Sequence, residues 1–201
     1  AQWTINTYTV PYDVKGGEAV ANPATYRITD DAPLAEPTWE YGRFLGWYTA
    51  SDEKIANLQG YAGDLSLTAK WECFFTLSGN SITGVSAFCK QNVTEIVIPA
   101  SLNGTAITGI AANAFANYTG LTSVIIPDGV TSIGAGAFKG CSSLASITIP
   151  FIGGSRKTAS DTYQYPFGYI FGTSSYTGGV ATTQTYYGSK TNTTTNTTYY
   201  I

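Results

Sequence analysis

The chain of 201 residues contains no histidine, no methionine, three cysteines and only 11% charged residues. Each scarcity excludes something. Without histidine there is no Ser-His-Asp or Cys-His centre, no imidazole metal ligand and no imidazole proton shuttle. Ten basic against thirteen acidic residues leave a net charge of −3, the wrong sign for the clustered Lys and Arg of an electrostatic nucleic-acid binder. No apolar run approaches the ~20 residues of a spanning helix, so no membrane insertion is expected within the chain. No basic segment followed by an apolar stretch opens it, so no signal peptide is expected in these residues. The lack of methionine points to a processed or excised chain. Cys73, Cys89 and Cys141 are odd in number and show no CxxC spacing, which argues against a zinc site or a complete disulfide framework. A Cys73–Cys89 bridge stays open beside the simpler reading of buried thiols.

What is present can build a core: 43% of residues are apolar. The opening AQWT (Ala1–Thr4) recurs as AKWE at Ala69–Glu72, and each copy precedes a strand-like run. Residues 1–4 therefore read as the tail of a preceding module and residues 5–72 as one whole module, cut from a longer array. Inside it, YTVPYDV, RFLGWY and LSLTAKW read as strands, the last with Leu65, Leu67 and Ala69 alternating. A short helix is allowed near Lys54–Leu58. Residues 1–72 hold ten acidic and five basic residues, 5 − 10 = −5; residues 73–201 hold three and five, 5 − 3 = +2. This shift sets a boundary near residue 73.

YDVKGG at Tyr12–Gly17, the P-T-x(3)-G-x(3)-G-W-Y run from Pro37 to Tyr48, and LTAKWE at Leu67–Glu72 resemble the internalin B repeat, also called the Listeria–Bacteroides repeat. The resemblance implies a small β-grasp-like module, used in tandem on bacterial surface proteins, with no catalysis.

The second half repeats more sharply. Val93-x-x-Ile96-x-Ile98-Pro99 is followed by Leu121-x-x-Val124-x-Ile126-Pro127 and Leu144-x-x-Ile147-x-Ile149-Pro150. Behind the first two runs come Ala114-Phe115-x-x-Tyr118 and Ala137-Phe138-x-x-Cys141. The steps are 121 − 93 = 28 and 144 − 121 = 23, the difference being an extra turn around Asn103–Thr105. A coil of ~23 residues lays down one short strand, turns at proline, and fills the layer between coils with the Ala-Phe pair; no coil can bury its apolar face alone. Alternation then places Glu95, Val97, Ser123, Ile125, Ser146 and Thr148 on the outward face of the strands. The segment VIIPDGVTSIGAGAFKGCSSL is similar to the type 5, BspA-like leucine-rich repeat of bacterial surface proteins. The resemblance covers residues 74–150, with Phe74–Lys90 as a leading cap. It implies a leucine-rich-repeat solenoid, a buried position for Cys141, and adhesion or host interaction.

The pattern breaks after Pro150. Residues 151–201 are rich in Tyr, Thr and Gly and carry few charges beyond Asp161 and Lys190. They read as an insertion of the kind BspA-like proteins carry, or as the start of a further, truncated repeat. The fold expected is mainly β: a small β-grasp-like module at 5–72, then a short solenoid at 73–150, then the insertion at 151–201.

Credible catalytic residues are missing. Asp30–Asp31 and Asp52–Glu53 are sequence neighbours in turn-like contexts, not convergent acids of a glycosidase. No phosphate-binding loop is present, and no cofactor is expected. Trp3, Trp39, Trp47 and Trp71 invite comparison with a sugar-stacking platform. Trp47 and Trp71 occupy positions of the repeat that the resemblance makes structural, which leaves Trp39 as a ligand candidate. Tyr163, Tyr165, Tyr169, Tyr176, Tyr186 and Tyr187 form the larger candidate surface, since tyrosine gives wide contact at low entropy cost; covering the flank of the coils is the competing role. The expected function is a non-enzymatic surface module binding an extracellular protein or glycan, outside the cell, with more repeats in the parent. A plain spacer and an accessory region of a secreted enzyme are the alternatives.

Overall fold

The computed structural model describes residues 4–159, 162–188 and 193–201. Trp3 with most of the leading AQWT segment, Asp161 and Lys190 lie outside the described residues. The chain divides into two units, Ala1–Phe74 and Phe75–Ile201.

The first unit contains β1 (Tyr8–Thr9), β2 (Tyr12–Asp13), β3 (Thr25–Tyr26), β4 (Gly42–Tyr48), β5 (Lys54–Ile55) and β6 (Leu67–Cys73). β1 pairs with β3, and the rest form a four-stranded sheet in the order β2-β6-β4-β5. β2 runs parallel to β6, whereas β4 is antiparallel to β5 and β6. Period-two alternation buries Leu67 and Ala69 on β6. They pack with Val10, Tyr26, Trp47, Ile55 and Leu58. Trp47 is the centre: its indole N–H donates to the Ala35 carbonyl at 2.9 Å, and the rings of Tyr12 and Phe44 meet it at 5.2 and 5.7 Å. Burial pushes the Tyr12 phenol up to about 12.

The helix allowed near Lys54–Leu58 is not formed. Asp52 takes a left-handed φ of 70°, folding Lys54–Ile55 back onto Trp47 and Tyr48. Asn57 Oδ1 then accepts from the N–H groups of Ala32 and Gln59. Such local side-chain bonds compete with helix, and the extended path delivers both Ile55 and Leu58 to the core.

The second unit opens with the hairpin β7 (Phe75–Ser78) and β8 (Ser81–Val85) and the helix α1 (Ala87–Asn92). The Ser86 hydroxyl caps that helix by accepting from Cys89 N–H. There follow β9 (Glu95–Val97), β10 (Ser101–Leu102), β11 (Thr105–Ala106), β12 (Gly109–Ile110), β13 (Ser123–Ile125), β14 (Ser132–Ile133) and β15 (Ser146–Thr148). The extra residues of the 28-step are the β10–β11 hairpin, turned at Asn103 and Gly104 with φ of 50° and 77°. Successive coils form two parallel sheets: β9-β13-β15, and β8-β12-β14 with β7 beside β8. A third line of contact runs through the Ala-Phe arcs, where Phe115 N–H donates to Ala137 O and Asn117 N–H to Lys139 O.

One aromatic ring per layer fills the interior. Phe75, Phe115, Phe138 and Phe171 follow one another at 6.4, 5.2 and 6.5 Å between ring centroids. A second file runs through Cys89, Tyr118 and Cys141, all buried. The Tyr118 hydroxyl lies within hydrogen-bond reach of the carbonyls of Cys89 and Val93, and burial raises its pKa. Cys141 donates its thiol proton to Phe115 O at 3.2 Å, and burial pushes it up to about 11. The Cys73–Cys89 bridge is not formed; all three cysteines are thiols.

Pro150 ends the sequence pattern but not the coil. Ile133 N–H donates to Gly154 O, Ser155 bridges Ser132, and Phe138 N–H donates to Ile170 O. Ile170 and Phe171, at the end of a 3-10 turn (Phe167–Ile170), stand where Ala137 and Phe138 stand one layer back. The Thr-rich tract is a hairpin of β16 (Ala181–Gly188) and β17 (Thr193–Tyr200). It is fastened to the third coil by Tyr199, whose ring fills the space a side chain at Gly168 would need. Tyr199 also donates its hydroxyl to Tyr163 O at 3.0 Å.

Candidate functional site

The β9-β13-β15 sheet makes the exposed face. In each strand the middle residue turns inward: Ile96 and Val124 are buried and Ile147 is half-buried. The flanking residues point out and lie in register. Glu95, Ser123 and Ser146 form one row; Val97, Ile125 and Thr148 form the other. Neighbouring strands are ~4.8 Å apart, so each row spans ~10 Å. Val97 and Ile125 are 46% and 44% exposed. The rows combine an apolar stripe, a line of hydroxyls and one carboxylate, on backbone fixed by its own ladder.

The six tyrosines do not form one site. Tyr163 and Tyr165 are exposed, and Tyr163 meets Tyr169 edge to face at 6.1 Å. Tyr169 is half-buried beside Gly154, its carbonyl accepting from Gly136 N–H, and burial raises its phenol pKa. Tyr176 lies elsewhere, in a cavity of about 330 Å³ with Cys141, Leu144, Ser146, Phe171 and Ile201. Tyr186 and Tyr187 are adjacent on β16, so they face opposite sides of the hairpin. Tyr186 is half-buried, whereas Tyr187 is 50% exposed.

The paired acids serve turns and ties. Asp30 accepts from Arg27 N–H and Asp31 from the Asn57 side chain. Asp52 pairs with Lys70, and Glu53 accepts from the Tyr61 hydroxyl. Among the described residues no three His, Cys, Asp or Glu side chains are grouped to hold a metal ion. No described helix is long and apolar enough to cross a membrane.

Sequence reasoning missed Phe171 as the fourth ring of the file. A partial signal was present: Ile170-Phe171 repeats the aliphatic-then-aromatic order of Ala114-Phe115 and Ala137-Phe138, but with a larger first residue and after 33 residues instead of 23. It also missed Tyr176 as a neighbour of Ser146, which nothing local announces.

Strands that recur in register make this region a repeat array. Residues 80–164 match the BspA type leucine rich repeat region in six copies. The chain is 34% identical over 113 residues to a putative membrane protein of Evansella cellulosilytica; the match covers 49% of this chain and 16% of that protein. A leucine rich repeat protein of T. pallidum, solved by crystallography, aligns at 31% identity and a TM-score of 0.34, over 38% of this chain and 37% of its own. The chain thus spans well under half the length of the relatives it matches.

Proposed function

We propose that the chain is a non-enzymatic interaction module of a bacterial cell-surface or secreted protein, in which the coils form a solenoid that takes a protein partner on the β9-β13-β15 face. The carrying observation is the pair of in-register rows, with Val97 and Ile125 nearly half exposed on a rigid sheet. Apolar side chains held open on fixed backbone lose little entropy on binding. Leucine-rich repeats commonly serve protein interaction; adhesion or host contact is the specific role we assign.

The exposed Tyr163 and Tyr165 extend this reading to a second contact region. The likeness of residues 5–72 to the internalin B repeat supports a β-grasp-like spacer role for the first unit. Leu144, Ile147 and Ile149 are only half-buried where Leu121, Val124 and Ile126 are buried, which supports a further coil stacking on β15.

The test is saturable binding to arrayed extracellular-matrix proteins and mucins, with Val97→Lys/Ile125→Lys and Tyr163→Ser/Tyr165→Ser variants checked by circular dichroism. A tenfold or greater loss in the folded strand-face variant is expected. Binding lost only in the tyrosine variant would move the site to that region. Absence of any binding would favour the plain spacer.

A further inference from the structure

The three described tryptophans of the first unit differ in how they use the indole N–H. Trp47 donates to Ala35 O at 2.9 Å and Trp71 to Val14 O at 3.0 Å. The Trp39 indole N–H makes no hydrogen bond among the described residues, although its backbone carbonyl accepts from Gly42 N–H at 3.3 Å. No buried side-chain nitrogen or oxygen there lacks a partner, so the Trp39 N–H opens to solvent.

The ring itself is held firmly. It lies against Gly42, where an added Cβ would come within 2.5 Å, and its pyrrole side passes 3.8 Å from the Cβ position of Gly16. Trp71 and Tyr41 brace it edge to face at 5.6 and 6.3 Å. Gly16, Glu18 and Glu40 are exposed; Glu40 is the chain neighbour of Trp39, and its carboxylate is hydrogen-bonded to the Tyr41 phenol. Glu18 is tied back through Thr38, whose hydroxyl donates to it at 3.2 Å. The arrangement is a firmly held, half-buried indole with one free donor and glycine backbone beside it, and the carboxylates of Glu18 and Glu40, each engaged by a protein hydroxyl, lie on the same stretches of chain.

We propose that this indole and its surround form a sugar-binding subsite, separate from the strand face and not dependent on it, for neutral β-linked pyranose chains. Such sugars carry their hydroxyls equatorially, leaving a flat C–H face that packs on an indole. Their hydroxyls donate to carboxylates and accept from an indole N–H. Ten acidic residues against five basic ones in residues 1–72 repel sulfated and uronic glycans.

The experiment titrates the whole chain with hexa-N-acetylchitohexaose and cellohexaose, following the indole N–H signals by NMR, with heparin as the anionic comparison. The expected result is a saturable shift of the Trp39 indole signal, at least threefold larger than those of Trp47 and Trp71, with heparin producing none. Trp39→Phe should weaken the affinity at least fivefold. Glu40→Gln, at an exposed position, should weaken it about two- to threefold with the fold unchanged. No Trp39 shift at 10 mM of either neutral probe overturns the proposal. So does an equal Trp39 response to heparin, or unchanged affinity in folded Trp39→Phe.

Discussion

The two units solve the same problem of burying strands, by opposite means. The first builds its core from unlike parts around Trp47: a buried tyrosine, isolated aliphatic residues and two short antiparallel pairings. Each of its polar ties occurs once, as with Tyr26 donating to Gly63 O or Thr9 to Asp64. The second reuses one solution. Ile82, Ile110 and Ile133 occupy equivalent sites of one sheet, and Ile96 and Val124 those of the other. A core of unlike parts concentrates its energy in a few side chains, whereas a repeated core shares it between neighbouring layers. The consequence for function is geometric: only the second unit presents the same outward position several times over in register.

The largest expected effect breaks the file of rings. Phe138 is fully buried and stacks on Phe115 at 5.2 Å with 15° between planes. Phe138→Ala should cost about 3–5 kcal/mol through lost burial and the cavity left behind. All four tryptophans lie in the first 72 residues, so tryptophan fluorescence follows the first unit, whereas far-ultraviolet dichroism follows both. The dichroism-detected melting should fall sharply and the tryptophan-detected melting should stay. Equal losses in both signals would mean that the difference in core design does not divide the stability.

The same contrast explains what was legible. In the second unit a position announces itself by recurring, so the inward Ile96 and Val124, the Ala-Phe pairs and the outward rows were readable from spacing alone. The left-handed turn positions recur too, as Asn113 and Asn117 in one coil and Gly136 and Gly140 in the next. Legibility failed where recurrence failed. The third coil inserts residues before Phe171, so its ring lost the expected interval. The β16–β17 hairpin shows no apolar period because Thr182, Gln184, Thr195 and Thr197 fill its half-buried positions. In the first unit Lys54–Leu58 could not be read locally, since its path depends on Asp52 turning back and on Asn57 bonding to Ala32, 25 residues away. The candidate tyrosines were scattered for a related reason. Clustering in sequence says nothing about which side of a hairpin or coil each ring takes, and adjacent Tyr186 and Tyr187 part at once.

Alkali should separate the units next. The Cys141 thiol is raised to about 11 by burial. A thiol titrates near 8.5 when unfolded. Because the folded state holds the proton more tightly, its contribution is complete below that value and is lost as pH rises towards 11. The full loss amounts to roughly 3 kcal/mol. In the first unit the raised groups are the phenols of Tyr12, Tyr26, Tyr41 and Tyr61, whose loss begins only above the ordinary tyrosine value near 10. Dichroism-detected melting should therefore weaken between about pH 8.5 and 10 before the tryptophan signal moves. Cys141→Ala should remove the early part of that decline.

Acid should reverse the order, with the smallest effect. The Asp64 carboxylate accepts from the Thr9 N–H at 2.7 Å and from its hydroxyl at 2.9 Å, and these bonds lower its pKa. Its contribution is present above the unfolded value near 3.9 and lost as pH falls through the lower folded value. Lys15 depresses Asp13 in the same direction through side-chain and backbone bonds. Both groups are exposed, so solvent screens them and the effect is small. Asp64→Asn keeps the acceptor and removes the charge. The variant should melt at most a few degrees lower at pH 7 by tryptophan fluorescence, and the difference should vanish near pH 2. A difference that persists at pH 2 would show that the tie works through geometry and owes nothing to charge, making this part of the first unit as insensitive to protonation as the repeated strands of the second.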